Sequence, residues 1–416
     1  MASRERFRFS TSGPTFWLFA QPRRLGFAPE RVRVDTAGAA IGVGPADSTI
    51  EVIDALDKPS YFSNATGKLR QRPRPPYPQD GPRSSRPAAP RDGHFTHLAP
   101  GQRAFSAAMV YAVISTTRAV WQHFLQLDRP PQWHFARSAG PVLQVHPRVE
   151  SNNAWSGNGF LEFGFPNWDE DARNPFSENF EVIAHETGHL LLKAVIGTMP
   201  DDEKSMQHRA HEEGAADLVA LIANMHLDSV LDYVLDQTGG FLYSDNLLSR
   251  IGEWGWADDD VVRTAFNDAT MTSVRSLPSL NKHQLSAPFT GAVFDVLVTR
   301  FVTHLVERDA ITRHLAERCR HTPGQPVENL AIDFAAARAR HRDAFREALR
   351  LARDDMGWLL AGAWRRTSLD GVTYGKVLTH LLDADSELGT NLADTLLEAF
   401  RARDIAPTRA DRQGWI

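Results

Sequence analysis

The chain has 416 residues, 42% hydrophobic and 23% charged, enough for a large buried core and about two or three domains. A formal net charge of −5 is small for this length and argues against a dedicated polyanionic partner such as nucleic acid. The single cysteine, Cys319, excludes an intramolecular disulfide framework.

The apolar run near the N-terminus, from Phe16 to Ala20, is too short for a signal-peptide core, and no stretch reads as a transmembrane helix, so a cytoplasmic location is the default expectation. Residues 1–70 hold short β-like patterns (RFRFS, RVRVDT, TIEVIDAL) between turn residues and predict a small β-rich region. Residues 1–100 carry 15 Lys/Arg against 9 Asp/Glu, which reads as a solvated basic face. Residues 71–91 are proline-rich and predict an extended linker or loop. Residues 92–290 are expected to form a central lobe, the one that carries the chemistry set out below. It begins with a helix from Gln102 to about Leu127, whose Phe105, Met109, Val113, Val120 and Phe124 recur at core-facing intervals. Residues 141–149 and 158–165 read as strands. After Pro288 the pattern turns helical to the end, over 291–308, 329–356, 372–384 and 389–402, predicting a helical C-terminal lobe over 291–416.

The chemistry is concentrated in residues 181–217. His185-Glu186-Thr187-Gly188-His189 is an H-E-x-x-H pattern. Four residues turn a helix by roughly 400°, so the two imidazoles stand on one face, where both can ligate one Zn²⁺. Glu186 projects about 100° away. That sets it beside the metal, where a carboxylate can take a proton from water. A catalytic zinc takes a third protein ligand. The extended pattern that would supply a histidine at 195 is excluded, since Leu192 and Val195 stand where Gly and His would be needed. The next acidic helix contains Glu212, Glu213 and Asp217. Glu213 and Asp217 share a face and Glu212 does not. Glu213 is therefore the expected third ligand, and Asp217 the carboxylate that accepts the free N–H of a zinc-bound histidine.

HETGH followed 24 residues later by EGAAD resembles the thermolysin-like, or gluzincin, zinc metallopeptidases. Asn152-Asn153-Ala154-Trp155 is similar to that family's substrate-binding edge strand, and His283-Gln284-Leu285-Ser286-Ala287-Pro288 to its segment bearing a transition-state histidine. The resemblance spans roughly residues 92–300. It implies an α+β, two-lobed fold with zinc-binding helices at the cleft floor. It also implies substrate contacts at Asn153 and Ala154, and His283 as donor to the oxyanion. Two departures stand out: residues 190–212 contain no tyrosine, and Pro278 stands where the family has an aspartate partner for the histidine. Relatives also hold Ca²⁺ on carboxylates. The acidic stretches 167–171 and 258–260 offer such groups without an EF-hand pattern and read more simply as solvated loops.

The expected function is a zinc-dependent endopeptidase acting on a polypeptide substrate. A rival is a non-catalytic zinc scaffold for protein–protein contact, against which the intact Glu186 counts. A zinc aminopeptidase is a weaker rival, because the Gly-x-Met-Glu-Asn pattern that captures a substrate amine is not found before His185.

Overall fold

In the computed structural model the described residues are 5–36, 39–56, 58–63, 68–69, 87–165, 174–251 and 263–408. The fold is mixed α+β and divides into two compact units. The first comprises residues 1–194 with 253–260, and the second residues 195–252 with 261–416.

The first unit is built around a four-stranded sheet and one long helix. Strands β1 (Thr15–Leu18) and β2 (Glu30–Arg33) form an antiparallel ribbon. Strand β3 (Ile50–Val52) belongs to the main sheet, while β4 (Phe62–Ser63) and β5 (Lys68–Leu69) pair with each other. Helix α1 (Arg103–Phe124) lies against β1 and β3. Then follow β6 (Leu143–His146), β7 (Ala154–Gly157) and β8 (Phe160–Phe163), giving the order β3-β6-β8-β7. The β3–β6 and β6–β8 pairs are parallel and β7–β8 is antiparallel. Every residue of β6 and β8 is buried, including Gln144, His146 and Glu162, so these two strands run through the core. The expected strand over RFRFS does not form; Phe7 instead sets its ring edge-on to His123 of α1.

Helix α2 (Phe180–Ile196) carries the H-E-x-x-H pattern. Its start is fixed by Asn179, whose side-chain oxygen accepts from the N–H groups of Glu181 (3.0 Å) and Val182 (3.3 Å). This is the capping role that asparagine fills well. Phe180, Val182, Ile183, Ala184 and Leu190–Leu192 are all buried. A helix apolar on nearly every side sits in a core, and its few polar side chains are there for another reason. The boundary between the units falls within the last turn of this helix.

The second unit is almost entirely helical. Helix α3 (Met206–Asn224) crosses α6 (Lys282–Glu307) closely, because Gly214 lies where a Cβ would meet Thr290 Cγ2 at 3.0 Å and Phe289 Cδ1 at 3.1 Å. Between them in sequence come α4 (Asp228–Thr238), the short antiparallel pair β9 (Arg250–Ile251) and β10 (Arg263–Thr264), and α5 (Met271–Arg275). Helix α7 (Arg313–Arg318), α8 (Ala331–Arg340), α9 (Arg342–Arg366), α10 (Tyr374–Leu388) and α11 (Ala393–Arg401) complete the unit. Among the described residues, α6 is the single unbroken helix long and apolar enough to pass for a membrane-crossing one, but 78% of its apolar window is buried among neighbours. It is the core helix against which α3, α9 and α11 pack.

Two expectations are corrected here. Helix α6 starts at Lys282, before Pro288, because Asn281 and Gln284 form a reciprocal capping box. Proline inside a helix costs one backbone hydrogen bond. The turn around it is braced by Tyr374, whose hydroxyl donates to the Leu285 carbonyl at 2.8 Å, and by Asn267, which donates to the Ala287 carbonyl at 3.2 Å. The single helix expected over 329–356 is two. His341 leaves the helical region (φ −132°, ψ 43°), and the bend turns the buried rings of Phe334 and Phe345 edge-to-face at 6.4 Å. Asp228, Asp232 and Asp236 on α4 face Arg350, Arg346 and Arg338 in a ladder of surface ion pairs.

Candidate metal centre and its surroundings

The first unit holds the H-E-x-x-H residues on α2. His185 and His189 present Nε2 atoms 3.1 Å apart, with rings perpendicular (88°) and centroids 4.7 Å apart. Two nitrogens each about 2.0–2.1 Å from one tetrahedral ion would stand roughly 3.3 Å apart. The separation therefore fits a shared ion. Glu186 lies on the same buried helix, 5% exposed. Thr187 spends its hydroxyl on the Ile183 carbonyl at 2.7 Å and is structural.

The proposed substrate edge is also in this unit. Among the described residues, strand β7 pairs with β8 and with no other strand, and it begins at Ala154. Gly164 N–H donates to the Asn153 carbonyl at 3.1 Å, and Ala154 faces Phe163 across the ladder. Alternation along an antiparallel pair then turns the backbone groups of Ala154 away from β8, toward the open edge. Asn153 Oδ1 accepts the Ala154 N–H at 3.0 Å.

The second unit holds Glu213 and Asp217 on α3, buried to 3% and 1% exposure. Glu213 Oε1 accepts from Lys282 Nζ at 2.6 Å, and its Oε2 lies 3.1 Å from His283 Nδ1. Glu212 is occupied elsewhere, both of its oxygens 2.9 Å from Lys204 Nζ. Asp217 takes a two-pronged contact from Arg263, Nε to Oδ2 at 2.9 Å and Nη2 to Oδ1 at 2.7 Å. The third guanidinium nitrogen of Arg263, Nη1, lies 2.9 Å from His283 Nδ1. His283, near the start of α6, is 42% exposed in its side chain.

Arg263 and Lys282 have no counterpart among the expected site residues. Nothing local marks Arg263, which is 46 residues from Asp217 in sequence. The only hint is negative: Pro278 leaves His283 in need of another partner. Asp217, expected as a carboxylate for a zinc-bound histidine, is seen here as the anchor of Arg263; a carboxylate has about four lone-pair sites and can serve both. The acidic stretches 167–171 and 258–260, considered for Ca²⁺, lie outside the described residues.

Among the described residues, the first unit offers the imidazoles of His185 and His189, and the second unit offers the carboxylate of Glu213, as side chains of metal-ligating type. Two imidazoles and one carboxylate form the donor set of a catalytic rather than a closed structural zinc site, which uses four protein ligands.

No model of a known protein family matches the chain. No curated protein matches it either. Among solved structures, the precursor of protealysin, a metalloproteinase from Serratia proteamaculans, is similar with a TM-score of 0.49 and 13% identity over 90% of each chain. At that distance the likeness assigns no family.

Proposed function

We propose that this protein is a zinc-dependent endopeptidase of the thermolysin-like kind, with His185, His189 and Glu213 as metal ligands. The observation that carries the reading is the 3.1 Å spacing of the two Nε2 atoms on a helix otherwise committed to the core. Burying the His185 imidazole beside the Glu186 carboxylate, with His189 half-buried one turn on, is costly unless something charged compensates them. A zinc ion held there supplies electrophilic polarisation of the scissile carbonyl and of an attacking water.

The remaining steps belong to the chain. An extended peptide adds antiparallel to β7, using the outward backbone of Ala154 and the amide of Asn153. Glu186, one residue along from His185, accepts the proton of the attacking water and returns it to the leaving amine. His283 donates to the oxyanion as the carbonyl becomes tetrahedral. Asp217 holds the surroundings in register.

The decisive experiment replaces Glu186 with Gln. Glu186 is not a ligand in this scheme, so zinc content and melting temperature stay near wild type. Hydrolysis of a diverse peptide library falls by about 10²-fold or more, the usual contribution of a positioned base. A zinc-loaded wild type that cleaves no peptide in such a library would favour a binding scaffold. An undiminished Glu186→Gln rate would remove the mechanism.

A further inference from the structure

The histidine that meets the oxyanion must arrive as a donor. A neutral imidazole has one N–H and one bare nitrogen, and its neighbours decide which is which. In the family pattern a carboxylate is the neighbour, and this chain has Pro278 in its place. What stands against His283 here is the guanidinium of Arg263, Nη1 to Nδ1 at 2.9 Å.

We infer that Arg263, anchored on Asp217, positions His283 by fixing it as the Nε2–H tautomer. The inference rests on the peptidase reading for its consequence but on the geometry alone for its content. Guanidinium has five N–H donors and no acceptor, and it does not lose its proton in proteins. A nitrogen that hydrogen-bonds to it must offer a lone pair. Nδ1 of His283 is thereby bare, and the ring proton resides on Nε2. A carboxylate in the same place would draw the proton onto Nδ1, so arginine is not a like-for-like replacement; it reverses which nitrogen is bare.

Arg263 is well placed for this because its direction is already set. Two of its nitrogens engage both oxygens of Asp217, which is 1% exposed, and its own side chain is 11% exposed. A planar fork held at two points cannot swing freely about its axis, so Nη1 keeps one heading. Among the described residues, one other group approaches Nδ1: Glu213 Oε2, at 3.1 Å. The two neighbours make opposite demands, since the carboxylate would be served by a proton on Nδ1 and the guanidinium by its absence. Glu213 has Lys282 as a second partner at 2.6 Å and is the proposed metal ligand, so its charge is met without the imidazole.

The test is made on the full-length, zinc-loaded protein with ¹⁵N-labelled histidine rings, by long-range ¹H–¹⁵N correlation at alkaline pH. The His283→Gln spectrum identifies the His283 signals by their loss. Wild type is expected to show a bare Nδ1 and a protonated Nε2 at His283. Arg263→Met is expected to lose that single tautomer and to move the proton partly or wholly onto Nδ1, where Glu213 Oε2 remains to accept it. A protonated Nδ1 in wild type overturns the inference, and so does a folded Arg263→Met protein with an unchanged His283 pattern. Should Arg263→Met misfold, Arg263→Lys decides the role, because an ammonium cannot hold both Asp217 oxygens and Nδ1 at once. If the wild type cleaves peptides, Arg263→Met should lower kcat with KM little changed, by up to the ~10²–10³-fold that loss of an oxyanion donor costs. Adding His283→Gln should then cost nothing further; an additive loss overturns the coupling. If no peptide is cleaved, the peptidase reading fails while the spectra still decide the tautomer.

Discussion

The ranking of the two adjacent glutamates is the sharpest residue-scale consequence of the site. Glu213 is buried on the face of α3 that carries Asp217, whereas Glu212 gives both oxygens to Lys204. Glu213→Gln should therefore sharply weaken zinc binding, since it takes away a charged ligand and leaves two histidines. Glu212→Gln should leave zinc binding near wild type and lower only stability, by about 1 kcal/mol for a partly exposed ion pair. Competition with a chromogenic chelator measures both, and the opposite order would show the third ligand to be misassigned. What could be read in the sequence at this scale follows how local each interaction is. His185 and His189 are a helical i,i+4 pair, so their convergence follows from helix geometry wherever the helix packs. Glu213 and Asp217 follow the same way. Arg263 could not be anticipated, because its meeting with Asp217 and His283 depends on how a β-ribbon lies against two helices far along the chain. Lys282 stands next to a singled-out residue yet acts through a contact that only the crossing of α3 and α6 creates.

At the scale of elements, α6 organises the second unit, and its glycines set how closely others approach. A Cβ on Gly291 would lie 2.5 Å from Arg403 Cζ and 2.6 Å from its Nη1. Arg403 is fully buried and joins α6 to the segment before α5, pairing with Asp295 at 2.7 Å, Asn267 at 3.0 Å and the Ala269 carbonyl at 2.9 Å. Gly291→Ala should lower stability by about 1–3 kcal/mol if the guanidinium shifts, and by about 3–5 kcal/mol if the buried pair with Asp295 breaks. Denaturant unfolding measures this; a loss under about 0.5 kcal/mol would show that Arg403 does not fill the space beside Gly291. Helix α6 also illustrates the limit of pattern reading. Pro288 invites a helix that begins after it, but the Asn281–Gln284 capping box places the start at Lys282, about two and a half turns before residue 291, and brings His283 onto the helix. Similarly, apolar periodicity runs on through 329–356 because both flanking helices bury the same kind of face, and only the backbone of His341 reveals the break. Periodicity reports which face is buried; it does not report where the axis bends.

For the whole molecule, buried histidines tuned in opposite directions set a stability window on the pH axis, and the second unit holds both kinds, since burial also lowers His211 from 6.5 to about 3. In the first unit His146 lies at the centre of the sheet; burial, and then the nearby charge of Lys58, push its pKa from 6.5 to about 3, against a weaker upward pull from its hydrogen bond to the Ile53 carbonyl. In the second unit burial would also lower His321, but hydrogen bonds and charge from Asp295 (2.8 Å) and Asp268 (3.0 Å) outweigh it and the net shift is upward. The signs follow from proton counting. Below pH ~6.5 the unfolded chain takes up a proton at His146 that the folded sheet refuses, so that contribution is present above ~6.5 and is lost as pH falls toward 3. At His321 the folded state holds its proton more tightly than the unfolded chain, so the contribution is complete below ~6.5 and is lost as pH rises through the raised folded value. Hydrogen exchange, corrected for intrinsic rates, can read the units separately. Protection of residues 143–146 should decline on the acid side, and protection of the loop 319–325 on the alkaline side, where His321 pins it and Gly324 N–H binds the same Asp268 oxygen at 3.0 Å. His321→Asn removes the titrating group, so the alkaline decline in 319–325 should flatten while the acid decline in 143–146 persists. An alkaline decline of undiminished slope in that variant would mean that some other group governs the second unit. An acid decline in 143–146 that disappears in that variant would mean that His146 is not its cause.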